Sequence, residues 1–391
     1  MQKKFIALAV AGLVSGAAFA QSNVTIYGVA DAGYVYGSGD RAGAVNKSMN
    51  FSGVQSGLLG GSRIGFKGEE GLGNGLKAVF TLEYALDLDV NAGVGTSTAA
   101  SVTAGTNLNA RQQFVGLSSD KLGTVALGRQ YAPSFAASFR NDPFGSSTGI
   151  GSLSRLTLVG NNTISGTNGG RWDNAVTYAS PNWSGFSVRA AYSFAENAQN
   201  TGAGDGVSRG DNGKYGIGGN YANGPLNLDV VYQTRQNATA LQFAGPTAFS
   251  TLAGPAWVST REDINEWYVG GSYDFKIVKL FASYQDQNDK NGTSATEASN
   301  SLWQVGATVP VFANGKVHVG YSKLAWDATG AGDTTAWNLM YSHALSKRTT
   351  LYTGYTRFDN DNNARAAASN SGVGALGEKN GTFAAGMNHA F

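Results

Sequence analysis

The chain has 391 residues, among them 55 glycines, 17 tyrosines and 19 phenylalanines, with no cysteine and only 14% charged residues. So little charge fits poorly with an ordinary soluble domain, which carries about 25%. The balance of 28 basic against 26 acidic residues gives no footprint for a nucleic-acid partner. No stretch after the N-terminus approaches the roughly 20 apolar residues of a membrane-crossing helix.

Residues 1–20 read as a secretory signal peptide. Lys3 and Lys4 form the basic start, Phe5 to Ala17 the apolar middle, and Ala18-Phe-Ala20 a small-x-small cleavage site. The mature chain then begins at Gln21 and forms one unit, 21–391. Without Lys3 and Lys4 the basic residues fall to 26, equal to the acidic ones. An exported chain without cysteine must hold itself together by means other than disulfides.

From Asn23 onward the apolar period is two. Along 76–87, Leu76, Ala78, Phe80, Leu82, Tyr84 and Leu86 share one face, and Lys77, Val79, Thr81, Glu83, Ala85 and Asp87 the other. Phe186, Val188, Ala190 and Tyr192 alternate with Ser187, Arg189, Ala191 and Ser193. Such alternation marks strands with one apolar and one polar face. Sixteen segments follow it: 23–36, 60–70, 75–90, 109–119, 122–130, 171–180, 184–196, 213–222, 225–236, 264–275, 278–288, 300–311, 315–326, 334–344, 348–358 and 381–391. Their connections alternate between short turns rich in Asn, Asp and Gly and long loops at 37–59, 91–108, 131–170, 197–212, 237–263 and 359–380.

That rhythm predicts an all-β fold, a transmembrane antiparallel β-barrel of 16 strands with short turns at the periplasm and long loops outside. In hydrocarbon every backbone N–H and C=O must be paired, so a sheet spans only as a closed ring without edges. The aromatic excess suits interfacial girdles. A soluble β-sandwich would carry charge on its outer face; here the polar face holds Gly, Ser, Thr and Asn.

The third long loop, Tyr131 to Gly170, is forty residues with Pro133, Pro143 and a group of Phe135, Phe139 and Phe144. Long structureless loops are uncommon in compact folds, and a disordered one would have few aromatics. The loop is therefore expected to be ordered and packed inside the barrel, its three phenylalanines pinning it to the inner wall.

Several stretches resemble the general porins of β-proteobacteria across the whole mature chain: Asn23-Val-Thr-Ile-Tyr-Gly-Val-Ala-Asp-Ala-Gly33, Gly61-Ser-Arg-Ile-Gly-Phe-Lys-Gly-Glu-Glu-Gly-Leu-Gly73, Arg111-Gln-Gln-Phe-Val-Gly-Leu117, Leu127-Gly-Arg-Gln130 and the terminal Phe391. The resemblance implies a homotrimer in the Gram-negative outer membrane, in contact with lipid and lipopolysaccharide, whose third loop folds inward as the constriction. It also implies that the last strand, ending on Phe391, is read by the outer-membrane insertion machinery. The loop 91–108, small and uncharged, would lie over a neighbouring subunit.

On that reading, alternation turns Arg63, Lys67 and Glu69 inward from the second strand, Lys77, Glu83 and Asp87 from the third, and Arg111 and Gln113 from the fourth. Arg171 and Asp173 oppose Trp172, and Arg189 opposes Val188. Strict alternation puts Arg129 with Val125 and Leu127, and only the resemblance assigns it to the constriction. The loop adds Arg140, Asp142 and Arg155. The constriction candidates are Arg63, Lys67, Glu83, Arg111, Arg129, Arg140 and Asp142, with Arg63, Arg111 and Asp142 foremost; the same residues also read as plain hydrated wall. Three arginines at about 7 Å, screened to roughly 0.25 kcal/mol each, give about a three-fold anion preference, opposed by Asp142 and Glu83.

The expected function is therefore passive, mildly anion-selective diffusion of small hydrophilic solutes and inorganic ions, without cofactor or metal. A solute-preferring channel and a barrel adhesin or receptor are the alternatives. The outward placement of most aromatics, with Tyr268 and Phe281 as exceptions, weighs against a stacked binding track. An enzyme needs a nucleophile, base and orienting group within reach, and His318, His343 and His389 offer no such set. No His, Asp or Glu cluster has metal-ligand spacing.

Overall fold

The structure, a computed structural model, describes residues 23–40, 48–90, 109–194, 212–238, 262–289, 298–368 and 376–391, with two-residue pieces at 240–241, 257–258 and 373–374. The expected leader, the whole of loop 91–108 and its expected reach over a neighbour lie outside the described residues. In chain order the staves are β1 (Asn23–Asp40), β2 in two halves (Ser48–Ser56 and Arg63–Gly73), β3 (Leu76–Ala85), β4 (Ala110–Ser119) and β5 (Gly123–Tyr131). The third loop carries α1 (Pro133–Arg140) and α2 (Leu153–Val159). Then come β6 (Arg171–Ala179), β7 (Phe186–Ser193), β8 (Lys214–Asn223), β9 (Leu226–Arg235), β10 (Ile264–Asp274) and β11 (Lys279–Asn288). The last are β12 (Asn300–Val311), β13 (Gly315–Trp326), β14 (Thr334–Ala344), β15 (Thr349–Asn360) and β16 (Lys379–Ala390).

Each stave pairs antiparallel with the next, and β1 pairs with β16 from Val29↔Ala390 to Asp40↔Lys379, so the sheet closes into a ring. Its described part comprises seventeen segments, two of which are halves of one stave, which makes sixteen staves. Both halves of β2 pair with β1, as Ala32↔Ser56 through Asp40↔Ser48 and Asn23↔Glu69 through Val29↔Arg63. The sequence reading assigned 48–56 to a loop. The chain instead continues the ladder there and leaves the wall only at 57–62.

Residues that face away from the lumen are apolar and exposed along most staves, as Val115 and Leu117, Val125 and Leu127, and Leu228 and Val230 show. This inverts the soluble pattern and follows from the solvent being lipid. At one height the outward aromatics form a belt from stave to stave. Trp267–Tyr284, Trp303–Tyr321 and Trp337–Tyr355 have ring centroids 5.0, 5.4 and 5.3 Å apart, and the register carries the belt on through Tyr355↔Phe383 and Tyr36↔Phe383. On β3 to β5 the exposed large side chains are aliphatic: Leu76, Leu82, Val115, Leu117, Val125 and Leu127. No described helix is long and apolar enough to cross a membrane; the staves do so instead.

The third loop is ordered and fills the ring, with two helices that alternation does not foretell. Pro133 at the first position pre-sets the helical φ of α1. The helix ends at Asn141, whose side chain donates to Ala137 O at 3.0 Å, and Pro143 keeps Asp142 out of the helical region. α1 packs on β7–β10, and α2 on β12 and β13. Leu153 and Leu156 of α2, three apart and so on one face, are buried with Leu302, Leu324 and Phe358.

The loop lands where the wall is bare. A Cβ at Gly306 would lie 2.6 Å from Pro143, at Gly320 2.6 Å from Phe144, and at Gly354 2.7 Å from Ile150. Of the three loop phenylalanines, Phe144 is buried against the wall, Phe135 stacks on Tyr131 with centroids 3.7 Å apart, and Phe139 is 53% exposed. They do not form one pin.

Candidate pore constriction

Glu83, on the inner face of β3 and 4% exposed, is the centre of a closely bonded charged group. Arg111 Nε donates to its Oε1 at 2.8 Å, and Arg63 Nε stands 3.8 Å from Oε2. Tyr131 donates its hydroxyl to Oε1 and Tyr27 to Oε2, both at 3.0 Å. A carboxylate buried in a wall needs such company, since an unpaired buried charge is strongly unfavourable. Lys67 Nζ lies over the Tyr27 ring, 5.2 Å from its centroid. The Arg171 guanidinium lies over Tyr131 and Phe135 at 5.9 and 5.5 Å. Tyr131 thus couples a third arginine to the group.

Arg111 gets there through a bulge. It has the parity of Val115 and Leu117, which face lipid, but the β3–β4 register slips between Glu83↔Gln112 and Tyr84↔Ala110. The slip swings Arg111 inward. Gln113 pairs with the outward Leu82, which corrects its inward assignment. A second irregularity sits between Gly128, at φ +130°, and Gln130. Arg129 there leaves the face of Val125 and Leu127 and meets Asp173, Nη1 to Oδ1 at 2.5 Å. The same slip includes Asn174 on the facing stave, at φ +49°, and buries Trp172 against Ala132, Ala175 and Ala191 instead of turning it to lipid.

Of the seven candidates, the structure brings Arg63, Arg111 and Glu83 together, with Lys67 adjoining through Tyr27. It does not bring the other three. Arg129 pairs with Asp173, and Arg140 pairs with Asp229 on the inner face of β9. Asp142 is 4% exposed and faces the loop, not the water. It accepts the amide N–H groups of Phe144 at 3.0 Å and Ser146 at 2.8 Å, and Gln304 Nε2 at 3.3 Å. Burial pushes its carboxyl up to about 6, the three donors pulling the other way. Its role is to shape the loop tip. Arg155 likewise turns from the water to bond Ala367 O through Nε at 2.7 Å.

Sequence reasoning missed Tyr27 and Tyr131 and left Arg171 off the candidate set. The signal for Arg171 was available: it is the first inward charge after the loop. The tyrosines gave none, because a hydroxyl on an inner wall reads the same whether it meets water or a carboxylate.

A closed ring of staves, lipid-facing outside and narrowed inside by one folded loop and a charged group, is the geometry of a diffusion channel. Residues 7–363 match the family model described as Gram-negative porin. The chain is 33% identical to outer membrane porin protein 32 of Delftia acidovorans, over 100% of both chains. It is 31% identical to an outer membrane porin protein of Bordetella pertussis, over 90% of this chain and 93% of the other. Among solved structures, the anion-selective porin from Comamonas acidovorans superposes with a TM-score of 0.72 at 28% identity, covering 95% of this chain and 100% of that one. A trimer form of OmpT from Vibrio cholerae, at 16% identity and a TM-score of 0.60, shares the fold, with 95% and 99% of the two chains covered. The chain belongs to the Gram-negative porin family and is a general porin of the outer membrane.

Proposed function

We propose that this porin passes small hydrophilic solutes with a mild preference for anions, and that its selectivity is set at Glu83. One observation carries the reading: Arg63, Arg111 and, through Tyr131, Arg171 gather round a single carboxylate. Arg129 and Arg140 add nothing to this surplus, because Asp173 and Asp229 neutralise them. Two uncompensated charges at about 7 Å, screened to roughly 0.25 kcal/mol each, sum to about 0.5 kcal/mol, or roughly a two-fold preference. That is smaller than the expectation that counted Arg129. The relative from Comamonas acidovorans is anion-selective by its description, which agrees in sign. The test is the reversal potential of the purified porin in a planar bilayer under a KCl gradient. An anion-ward potential is expected, and a cation-ward one overturns the reading.

The working unit in this proposal is a homotrimer. The sector of β3 to β5 supports it: its most exposed large side chains are aliphatic, Phe80 and Tyr84 being only partly exposed, whereas an aromatic belt suits contact with the lipid interface. Unboiled protein should migrate as a heat-modifiable trimer; a monomer in mild detergent counts against it. Residues 1–20 act as a cleaved leader, residues 21–391 form the single barrel unit, and Phe391 acts as the insertion signal.

A further inference from the structure

Beneath α1 lies a further inward cation, Arg189, that no described residue neutralises. A pocket of about 100 Å³ opens between the helix and staves β6–β9, lined by Pro133 and Arg140 from the loop and by Ser187, Arg189, Gly218 and Asn220 from the wall. Ala179, Ser180 and Ser187, also part of its lining, flank the short turn 181–185, so it lies on the periplasmic side of the loop. The space depends on Gly218, where a Cβ would stand 3.2 Å from that of Pro133.

Arg189 has no hydrogen bond or ion pair among the described residues. Asp229, the nearby acid, is fully engaged. It takes Arg140 through Nε at 3.3 Å and through Nη2, Asn141 Nδ2 at 2.8 Å, Asn227 Nδ2 at 2.9 Å and Asn220 Nδ2 at 3.1 Å. These contacts leave the Nη1 edge of Arg140 unused. Two guanidinium groups thus line one cavity that contains a single, saturated carboxylate. Guanidinium forks match the oxygens of phosphate and carboxylate in a bidentate way that chloride cannot exploit. The cavity has room for several waters, and so for a small oxyanion.

We propose that this pocket is a transient binding post for a small oxyanion, a phosphate or a carboxylate, held by Arg189 and the free edge of Arg140 on the exit side of the constriction. Solutes of that class would dwell there while chloride passes, giving the general pore a saturable component. The inference rests on the channel itself and not on the sign of its ion preference, so a cation-ward reversal potential would sink the proposed selectivity and leave this site standing.

The test is the conductance of the intact porin in planar bilayers as inorganic phosphate and, separately, acetate are raised against a constant chloride background. Saturation by at least one of them is expected. Arg189→Gln should raise the half-saturating concentration about ten-fold or more, the lower end expected for one charge-assisted hydrogen bond. Arg189→Lys, which keeps the charge and loses the fork, should fall between. Lys121→Gln removes the same charge from an exposed turn and should change nothing. Heat-modifiable mobility of each variant shows that it has folded. Conductance linear in both solutes, an unchanged half-saturation in Arg189→Gln, or an equal shift in Lys121→Gln would each overturn the proposal.

Discussion

Gly28 and Phe391 exchange both backbone hydrogen bonds, each 3.1 Å long, and the ring of Phe391 occupies the space where Gly28 has no side chain. A Cβ at Gly28 would stand 2.3 Å from Cζ of that ring and 2.6 Å from the carbonyl oxygen of Arg63. The end of the chain is thus seated in the first stave. Gly28→Ala is expected to lower barrel stability by about 1–3 kcal/mol, the usual scale of overpacking. Deleting Phe391 is expected to reduce outer-membrane abundance further than Gly28→Ala does. Quantifying heat-modifiable protein in outer-membrane fractions distinguishes the two; a deletion that leaves abundance normal removes Phe391 as an insertion signal.

Selectivity should respond to the Glu83 group in both directions. Glu83→Gln should shift the reversal potential toward anions, and Arg63→Ala or Arg111→Ala toward cations, each by roughly a factor of 1.5 in permeability ratio on the screened Coulomb scale. Arg129→Ala should move it less, because its pair with Asp173 stands apart from the Glu83 group. Equal shifts at all three arginines would mean that the charge is spread over the lumen without a focus.

Loop docking should show an unusual pH dependence. Asp142 is raised from 3.8 to about 6 by burial. The folded loop therefore holds its proton more tightly than the opened loop does, and acidification through the window between about 6 and 4 favours the docked state. The full effect is bounded by two units, about 3 kcal/mol. Hydrogen exchange at the Phe144 and Ser146 amides, corrected for intrinsic rates, should show more protection at pH 5 than at pH 7. Asp142→Asn should flatten the difference. Greater protection at neutral pH would reverse the sign and refute the account.

The legibility of the chain divides along one physical line. Whole staves were readable because the two solvents, lipid and water, act on every second residue over ten or more positions: β12, β13 and β14 begin and end where alternation does. Tyr268 and Phe281 were also legible as inward exceptions, and both are buried. What escaped is whatever depends on one backbone angle. The slips beside Arg111 and beside Arg129 and Trp172 move side chains across the wall, and the sequence at Gly128 or Asn174 does not announce it. α1 and α2 escaped for a different reason. A short helix packed within a barrel lacks the amphipathic contrast that water would impose on it.

Asp31 carries the largest predicted stability effect. It is fully buried, and accepts Leu58 N at 2.8 Å, Gly60 N at 3.1 Å, the Tyr352 hydroxyl at 2.8 Å and Asn388 Nδ2 at 2.8 Å. Asp31→Ala strands several buried donors at once, each costing about 1–3 kcal/mol. A markedly lower unfolding temperature of the folded porin is expected. Asp31→Asn should recover part of it, and no change in either variant would exclude the role.

The excursion at 57–62, where β2 leaves the wall, has a consequence for how the molecule holds together. Asp31 of the first stave accepts the amide of Leu58, and the same carboxylate accepts Tyr352 and Asn388 of the last two staves. The carbonyl of Leu58 in turn receives Ser147 Oγ at 2.6 Å and Gly149 N at 3.1 Å from the third loop. The peg that the loop grips is therefore braced from both ends of the chain. Closing the ring thus also steadies the loop that narrows its bore, so the seam and the constriction share one support.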